Sequence, residues 1–215
     1  MALAEELRAA HGELFAAMLE HRFVREMTED RIAPETFRRY LVQEGAFVRT
    51  AMRVFALALA KAPEEADLDR LARIIHALAT TQSDYFVEAA GGAPTMSTMP
   101  PEAAELGHVA LGIAASGSFV EILSGMLAAE WMYLEWCRVA AAHGKASGWR
   151  RAWIDLHLEP DFQDQVAWLR QRVDEVGAGL DASTRQRCHT AFGRMLRHEI
   201  AFHVAPYGPG WGEAD

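Results

Sequence analysis

Apolar residues recur every three or four positions along most of the chain, which is the spacing of one face of an α-helix. No segment alternates apolar and polar residues between Asn-Gly or Asp-Gly turns, so no β-strand is predicted. We therefore expect a single-domain, all-α bundle of several helices over residues 1–204, followed by an irregular tail over 205–215. The predicted helices lie near residues 2–20, 34–60, 65–89, 101–115, 118–142, 147–157, 161–176 and 182–204.

Proline and short polar residues mark where several of these helices begin. Pro34 and Pro101 stand at predicted first turns, where the missing N–H of proline costs no hydrogen bond. Ser147 and Asp181 directly precede helical patterns, and their side chains are predicted N-caps for the first free backbone amides.

Three predicted helices each place one glutamate on an otherwise apolar face. These residues are Glu44, Glu130 and Glu199, each with apolar neighbours three or four positions away. A buried carboxylate costs several kcal/mol unless it is paired or hydrogen-bonded. Two interpretations stay open: a shared polar pocket inside a helical bundle, or separate pairing with Arg, Tyr or water.

A fourth predicted helix carries a neutral amide in a similar position. Gln82 follows the stripe formed by Leu68, Leu71, Ile75 and Leu78. An amide donates and accepts hydrogen bonds without the cost of a buried charge, so Gln82 is a candidate ligand-binding residue.

The charge balance narrows the classes of partner. The net charge is −9 over 215 residues, and no cluster of Lys and Arg is present. This argues against binding to nucleic acid or to an anionic membrane surface, since both need concentrated positive charge. No apolar run reaches the length of a membrane span, and the N-terminus lacks a signal-peptide pattern. Cys137 and Cys188 have no metal-ligand spacing, so a cytoplasmic protein with reduced thiols is expected.

Four segments, taken in order, resemble the TenA family, the thiaminase II and aminopyrimidine-salvage hydrolases. The segments are YLVQEGAFV at 40–48, GSFVEILSGMLAAEWMYLEW at 117–136, WIDLHLEPDF at 153–162 and RHEIAFHVAPY at 197–207. The resemblance implies a haem-oxygenase-like α bundle, a homo-oligomer (a dimer or tetramer) and an aminopyrimidine-like small-molecule substrate. No cofactor and no metal are predicted.

The resemblance also implies roles for individual residues. Glu44 stands where a family carboxylate holds the amino and ring nitrogens of a pyrimidine, and Phe47 stands where an aromatic ring stacks on it. Tyr133 stands beside the family's nucleophile position. Glu199 stands where a glutamate serves as acid or base at the leaving group.

Three positions depart from the family pattern. Ala129 occupies the slot of the nucleophilic cysteine, with Glu130 next to it, as in a branch of the family that lacks this cysteine. His157 replaces a tyrosine, and residues 202–204 read Phe-His-Val instead of Phe-Trp-Asp. Cys137 lies two helical turns beyond Ala129, too far away to replace the missing thiol.

These residues predict a hydrolase that uses activated water in place of a thiolate. Glu130 and Glu199 are the predicted acid–base pair, and an apolar setting is expected to raise the pKa of each. Gln82 and His157 join Glu44 as predicted ligand-binding residues. The predicted substrate is an aminomethyl- or formylaminomethyl-pyrimidine.

Two other functions remain open on the sequence. One is a protein that binds a pyrimidine-like ligand without turnover. The other is a metal-dependent oxygenase of the same fold superfamily, whose ligands would come from His198, Glu199 and His203 together with Glu44, Glu121 or Glu130. The single strict Glu-x-x-His pattern is Glu105 with His108, and a facing second copy is missing.

Overall fold

The structure, a computed structural model, describes residues 1–82 and 99–211. Within those residues the chain is helical and has no β-strand, which confirms the all-α prediction. The α-helices, in chain order, are α1 Leu3–Ala10, α2 Gly12–Leu19, α3 Arg22–Thr28, α4 Pro34–Ala60, α5 Glu65–Ala77, α6 Pro101–Ser116, α7 Phe119–His143, α8 Gly148–Leu156, α9 Pro160–Gly177 and α10 Ala182–Val204. A π-helical turn, Leu78–Gln82, follows α5, and a 3₁₀ turn, Ala205–Tyr207, follows α10.

Most long helices begin and end within two residues of their predicted positions, and three differences stand out. The helix predicted over 2–20 is interrupted at His11. The seven-residue helix α3 was not predicted, because so short a segment shows less than two turns of periodicity. The α-helix predicted over 65–89 ends at Ala77, and residues 83–89 lie outside the described part of the chain.

The predicted caps have mixed outcomes. Pro34 and Pro101 are the first residues of α4 and α6. Asp181 is an N-cap, since the amide of Thr184 donates to its Oδ1 at 2.8 Å. Ser147 occupies the N-cap position of α8 but makes no capping bond, because its hydroxyl donates instead to Oδ2 of Asp30 at 2.7 Å.

The contacts divide the chain into two compact units. Unit 1 comprises Met1–Ile32 and Leu123–Ile200. In its core, Phe15 stacks on Phe192 and meets the edge of Trp131, each with 6.2 Å between ring centroids. Helix α1 packs on α9, where a Cβ at position 177 would lie 2.7 Å from Cδ2 of Leu3. Glycine at that position therefore permits the close approach of these two helices.

Unit 2 comprises Ala33–Ile122 and Ala201–Asp215. Helix α4 is its centre and packs against α5, α6 and the 3₁₀ turn. Lys61, just past α4, donates to the carbonyl oxygens of Ala114 at 2.7 Å and Gly117 at 2.6 Å. A cation at the C-terminus of α6 satisfies free carbonyls and complements the helix dipole.

The buried face of α5 differs from the predicted stripe. Leu68 is exposed and Ile75 is half-buried, whereas Asp67, Leu71, Ile74 and Leu78 are buried. The prediction is confirmed for Leu71 and Leu78 and wrong for Leu68 and Ile75, because the buried face includes Asp67, which an apolar pattern cannot reveal. Among the described helices, none combines the length and the hydropathy that a bilayer crossing requires.

Candidate ligand-binding site

Aromatic side chains of α7, α8 and α9 pack together in unit 1. Trp136 and Trp153 stack with 5.1 Å between ring centroids, and Trp153 stacks on the His157 imidazole at 4.0 Å. Tyr133 lies against the same imidazole at 5.2 Å, and Phe162 turns its edge toward it at 5.1 Å. The predicted site residues Tyr133 and His157 are thus neighbours in one aromatic cluster.

His157 is a buried, neutral imidazole with a fixed hydrogen bond. It follows the last residue of α8, and its Nδ1 donates to the carbonyl oxygen of Trp153 at 3.0 Å. Burial lowers the pKa of His157 to about 4, and the bond to Trp153 only partly opposes this effect. At neutral pH the ring therefore carries no charge.

Glu130 lies one helical turn before Tyr133 on α7 and is half-buried. Burial raises the pKa of its carboxyl group to about 7, while a hydrogen bond from Gln165 acts in the opposite direction. Nε2 of Gln165 donates to Oε1 of Glu130 at 2.9 Å. A carboxyl group with a pKa near neutrality is populated in both protonation states, which general acid–base catalysis requires.

Glu199 is 1% exposed on α10, one helical turn after the buried Met195 and Leu196. Ala129 is also buried and offers no nucleophile. Cys137 is fully buried, and burial raises the pKa of its thiol well above the ordinary range. Covalent thiolate chemistry at Cys137 is therefore suppressed, because the thiolate is the reactive species.

The closing segment 202–204 meets helix α4 inside unit 2. The fully buried Gln43 donates its side-chain Nε2 to the carbonyl oxygen of Phe202 at 2.7 Å. In a regular helix that carbonyl would bond the amide four residues later, but residue 206 is proline and has no N–H. The Gln43 side chain therefore supplies the missing donor.

Glu44 and Phe47 lie on the same helix as Gln43. Glu44 is 7% exposed, as its position on an apolar face predicts. Phe47 is half-buried and meets the Phe202 ring at 6.1 Å in an edge-to-face arrangement. Tyr40 packs on both Phe202 and the buried His203, with centroid distances of 6.2 and 5.4 Å.

Metal-binding side chains do not cluster in the part of the chain that is described. Among residues 1–82 and 99–211, no three His, Cys, Asp or Glu side chains are arranged to hold a metal ion. Glu105 and His108 form an exposed pair with 3.5 Å between Oε2 and Nδ1. Glu121 is engaged at the start of α7, where it accepts a hydrogen bond from the Ser118 hydroxyl at 2.8 Å.

The four segments that resemble the TenA family lie within a match to a family profile. The profile of the TENA/THI-4/PQQC family matches residues 8–207, nearly the whole chain. The chain belongs to this family. A search of curated proteins finds no significant match.

Solved structures of TenA homologues share the fold. A TenA homologue from Pyrococcus furiosus superposes with a TM-score of 0.88 at 23% identity, covering 95% of this chain and 100% of that one. A TenA homologue from P. horikoshii OT3 gives 0.84 at 19% identity, covering 96% and 99%. A protein of Sulfolobus solfataricus P2, provisionally named a TenA-like thiaminase, gives 0.76 at 17% identity, covering 94% and 95%.

For this TenA family member, the structure divides the predicted site residues between the two units. Glu130, Tyr133, His157 and Glu199 belong to unit 1, and among them Tyr133 and His157 make a direct ring contact. Unit 2 holds Glu44, Phe47 and Gln82. Gln82 is half-buried in the π-helical turn after α5.

One residue that acts on Glu130 is not apparent from the sequence. Gln165 donates a hydrogen bond to Glu130 from α9. Trp136, which the sequence suggests as a packing residue between helices or subunits, stacks on Trp153. Gln165 is a polar residue on an amphipathic helix, and no sequence signal distinguishes it from solvent-exposed neighbours. Its role arises from a contact between residues 35 positions apart.

Proposed function

We propose that this chain is a thiol-independent hydrolase of an aminomethyl- or formylaminomethyl-pyrimidine. The observation that carries the proposal is Glu130, a carboxyl group whose burial raises its pKa to about 7 next to an aromatic cluster. Membership of the TENA/THI-4/PQQC family supports a flat heteroaromatic ligand. Tyr133 and His157, whose rings are in contact within the aromatic cluster, keep their proposed roles as residues that contact the ligand.

The proposed step replaces the thiolate with water. The oxygen of water forms a bond to the carbon that carries the leaving nitrogen, and the C–N bond breaks. One carboxylate takes a proton from the water, and a protonated carboxyl group delivers a proton to the departing nitrogen. The products are ammonia and a hydroxymethylpyrimidine, or formate and the free amine when the substrate is a formamide.

Glu130 and Glu199 are the proposed acid–base residues. At pH 7 about half of the Glu130 side chains would carry the proton, since its pKa is about 7. Glu44 keeps its proposed role as the acceptor for the amino and ring nitrogens, in which a carboxylate forms charge-assisted hydrogen bonds. Phe47 and Gln82 are proposed to contribute stacking and an amide contact.

Calorimetric titration with 4-aminopyrimidines, followed by assays for released ammonia or formate, tests the proposal. Glu130→Gln and Glu199→Gln should each lower kcat by about 10²–10⁴-fold, the usual contribution of a general acid or base. Glu105→Gln, at an exposed position on α6, is the control and should keep full activity. Binding without turnover would replace the hydrolase with a ligand-binding protein, and no binding would overturn both functions.

A further inference from the structure

His157 is held in one orientation by its surroundings. Trp153 and Tyr133 stack on the ring, and Phe162 presses an edge against it. The linker after α8 is also fixed, because Nε2 of Gln163 donates to the carbonyl oxygen of Leu158 at 2.7 Å. The orientation of the second ring nitrogen, Nε2, is therefore fixed.

The hydrogen bond at Nδ1 determines the tautomer. The backbone amide of His157 donates to Ile154 at 3.2 Å, three residues back, instead of to Trp153. The His157 side chain supplies the donor for the Trp153 carbonyl oxygen instead, through Nδ1. A carbonyl oxygen only accepts, so Nδ1 must carry the hydrogen, and in the neutral ring Nε2 must carry a lone pair.

Nε2 is not engaged by the protein within the described residues. The bonds and ring contacts of His157 are those at Nδ1 and at the ring faces and edge. An acceptor held rigidly beside an aromatic stack can recognise a ligand that offers an N–H or O–H. A ligand that offers only lone pairs at that point would face repulsion and an unpaired acceptor.

We infer that Nε2 of His157 is a fixed hydrogen-bond acceptor that selects ligands carrying an N–H or O–H donor on the side arm of the ring. The part of this inference that concerns the ligand rests on the proposed function. The part that concerns the tautomer of His157 does not depend on any ligand. His157 thus determines specificity: it distinguishes aminomethyl and hydroxymethyl arms from alkylated or ether arms.

Nitrogen-15 NMR of the unliganded protein tests the tautomer directly. The two-bond correlation pattern of the His157 ring should show a protonated Nδ1 and a bare Nε2 at pH 7. A ring protonated at Nε2 would overturn the inference without affecting the proposed hydrolase. This measurement requires no variant, so failure of a variant to fold cannot obscure it.

Two substitutions separate the nitrogens in binding experiments. His157→Asn keeps a donor at the Nδ1 position but loses the acceptor, whereas His157→Gln keeps an acceptor near the Nε2 position. The probes are 4-aminopyrimidines with a hydroxymethyl or a methoxymethyl arm at position 5, titrated calorimetrically after a melting curve confirms that each variant is folded. His198→Asn is the matched control, since His198 makes the same bond to the carbonyl four residues back, at 2.8 Å.

The wild type and His157→Gln should bind the hydroxymethyl probe about tenfold more tightly than the methoxymethyl probe. In His157→Asn the two affinities should become nearly equal, and His198→Asn should match the wild type. Equal binding by the wild type, or a preference that persists in His157→Asn, would overturn the inference while leaving pyrimidine binding intact. Absence of binding by either probe would overturn the proposed function and the ligand half of this inference together.

Discussion

The side-chain amide of Gln165 donates to Oε1 of Glu130 at 2.9 Å, joining α9 to α7. Burial pushes the pKa of Glu130 upward, and this single hydrogen bond opposes the shift. Hydrogen bonds to the charged form of a carboxyl group favour that form. Gln165 is therefore a positioning residue that keeps Glu130 near its titration midpoint at neutral pH.

Replacing Gln165 with leucine should raise the pKa of Glu130 by about one unit. The Glu130 carboxylate would lose the hydrogen bond that Gln165 donates, which stabilises the charged form by about 1 kcal/mol. Carbon-13 NMR of the glutamate side chains measures this shift. Gln171→Leu is the matched control: Gln171 also lies on α9 and donates to a glutamate, the exposed Glu175. An unchanged or lower pKa of Glu130 in Gln165→Leu would contradict the role given to Gln165.

The contributions of Glu130 and His157 to the free energy of unfolding should depend on pH in opposite directions. The pKa of Glu130 is about 7 in the folded chain and about 4.5 when unfolded, so its contribution is fully present below pH 4.5 and is lost as pH rises through 7. The pKa of His157 is about 4 when folded and about 6.5 when unfolded, so its contribution is present above pH 6.5 and is lost as pH falls through 4.

Urea unfolding between pH 4 and 8 checks this pair of opposed effects. Relative to the wild type, Glu130→Gln should gain stability as pH rises from 4.5 to 7, and His157→Gln should lose stability as pH rises from 4 to 6.5. Each change should amount to about 3 kcal/mol at most, since one pKa unit corresponds to about 1.4 kcal/mol. Difference curves with the same sign would show that one of the two assignments is wrong.

Gln43 should be necessary for the stability of the closing segment. Gln43→Leu leaves the Phe202 carbonyl without its donor and should reduce the free energy of unfolding by about 1–3 kcal/mol. Pro206→Ala introduces a backbone N–H at the position that a helix would use. In the Gln43→Leu background this second change should recover part of the loss, and the double-mutant cycle measures the coupling. Additive effects would contradict the compensation between Gln43 and Pro206.

Gly193 makes room for the His11 ring. A Cβ at position 193 would lie 2.5 Å from Cε1 of His11, so Gly193→Ala should destabilise the fold by about 1–3 kcal/mol. The added substitution His11→Ala should remove the clash and recover stability. Gly112→Ala, where no atom lies within 4 Å, is the control and should be neutral or stabilising by up to about 1 kcal/mol. Thermal or urea unfolding compares the four proteins, and a neutral Gly193→Ala would rule out the steric account.

Several elements could be predicted because their signals are local. Helices α4 and α10 were placed within a residue of their ends, since Pro34 and Asp181 mark their starts. The burial of Glu44 and Glu199 followed from helical spacing alone. The buried face of α5 was predicted correctly at Leu71 but wrongly at Leu68, because an acidic residue, Asp67, is buried there instead.

The parts of the site that sequence could not reveal depend on tertiary contacts. His157 was named as a ligand-binding residue, but its tautomer depends on a helix end at which its own amide turns to Ile154. The low pKa of His157 depends on burial, which its position after a short helix does not predict. The same holds for Gln43, whose importance emerges only when Phe202 and Pro206 are seen together.

Both cysteines of the chain, Cys137 and Cys188, lie in the same compact unit and are buried there. A thiol-specific dye can modify them only when that unit opens, so the labelling rate measures how often the unit unfolds locally. Unit 2 contains no cysteine and does not contribute to the signal. Labelling in increasing urea, recorded beside the loss of helical circular dichroism, therefore reveals whether the two units open together or one at a time.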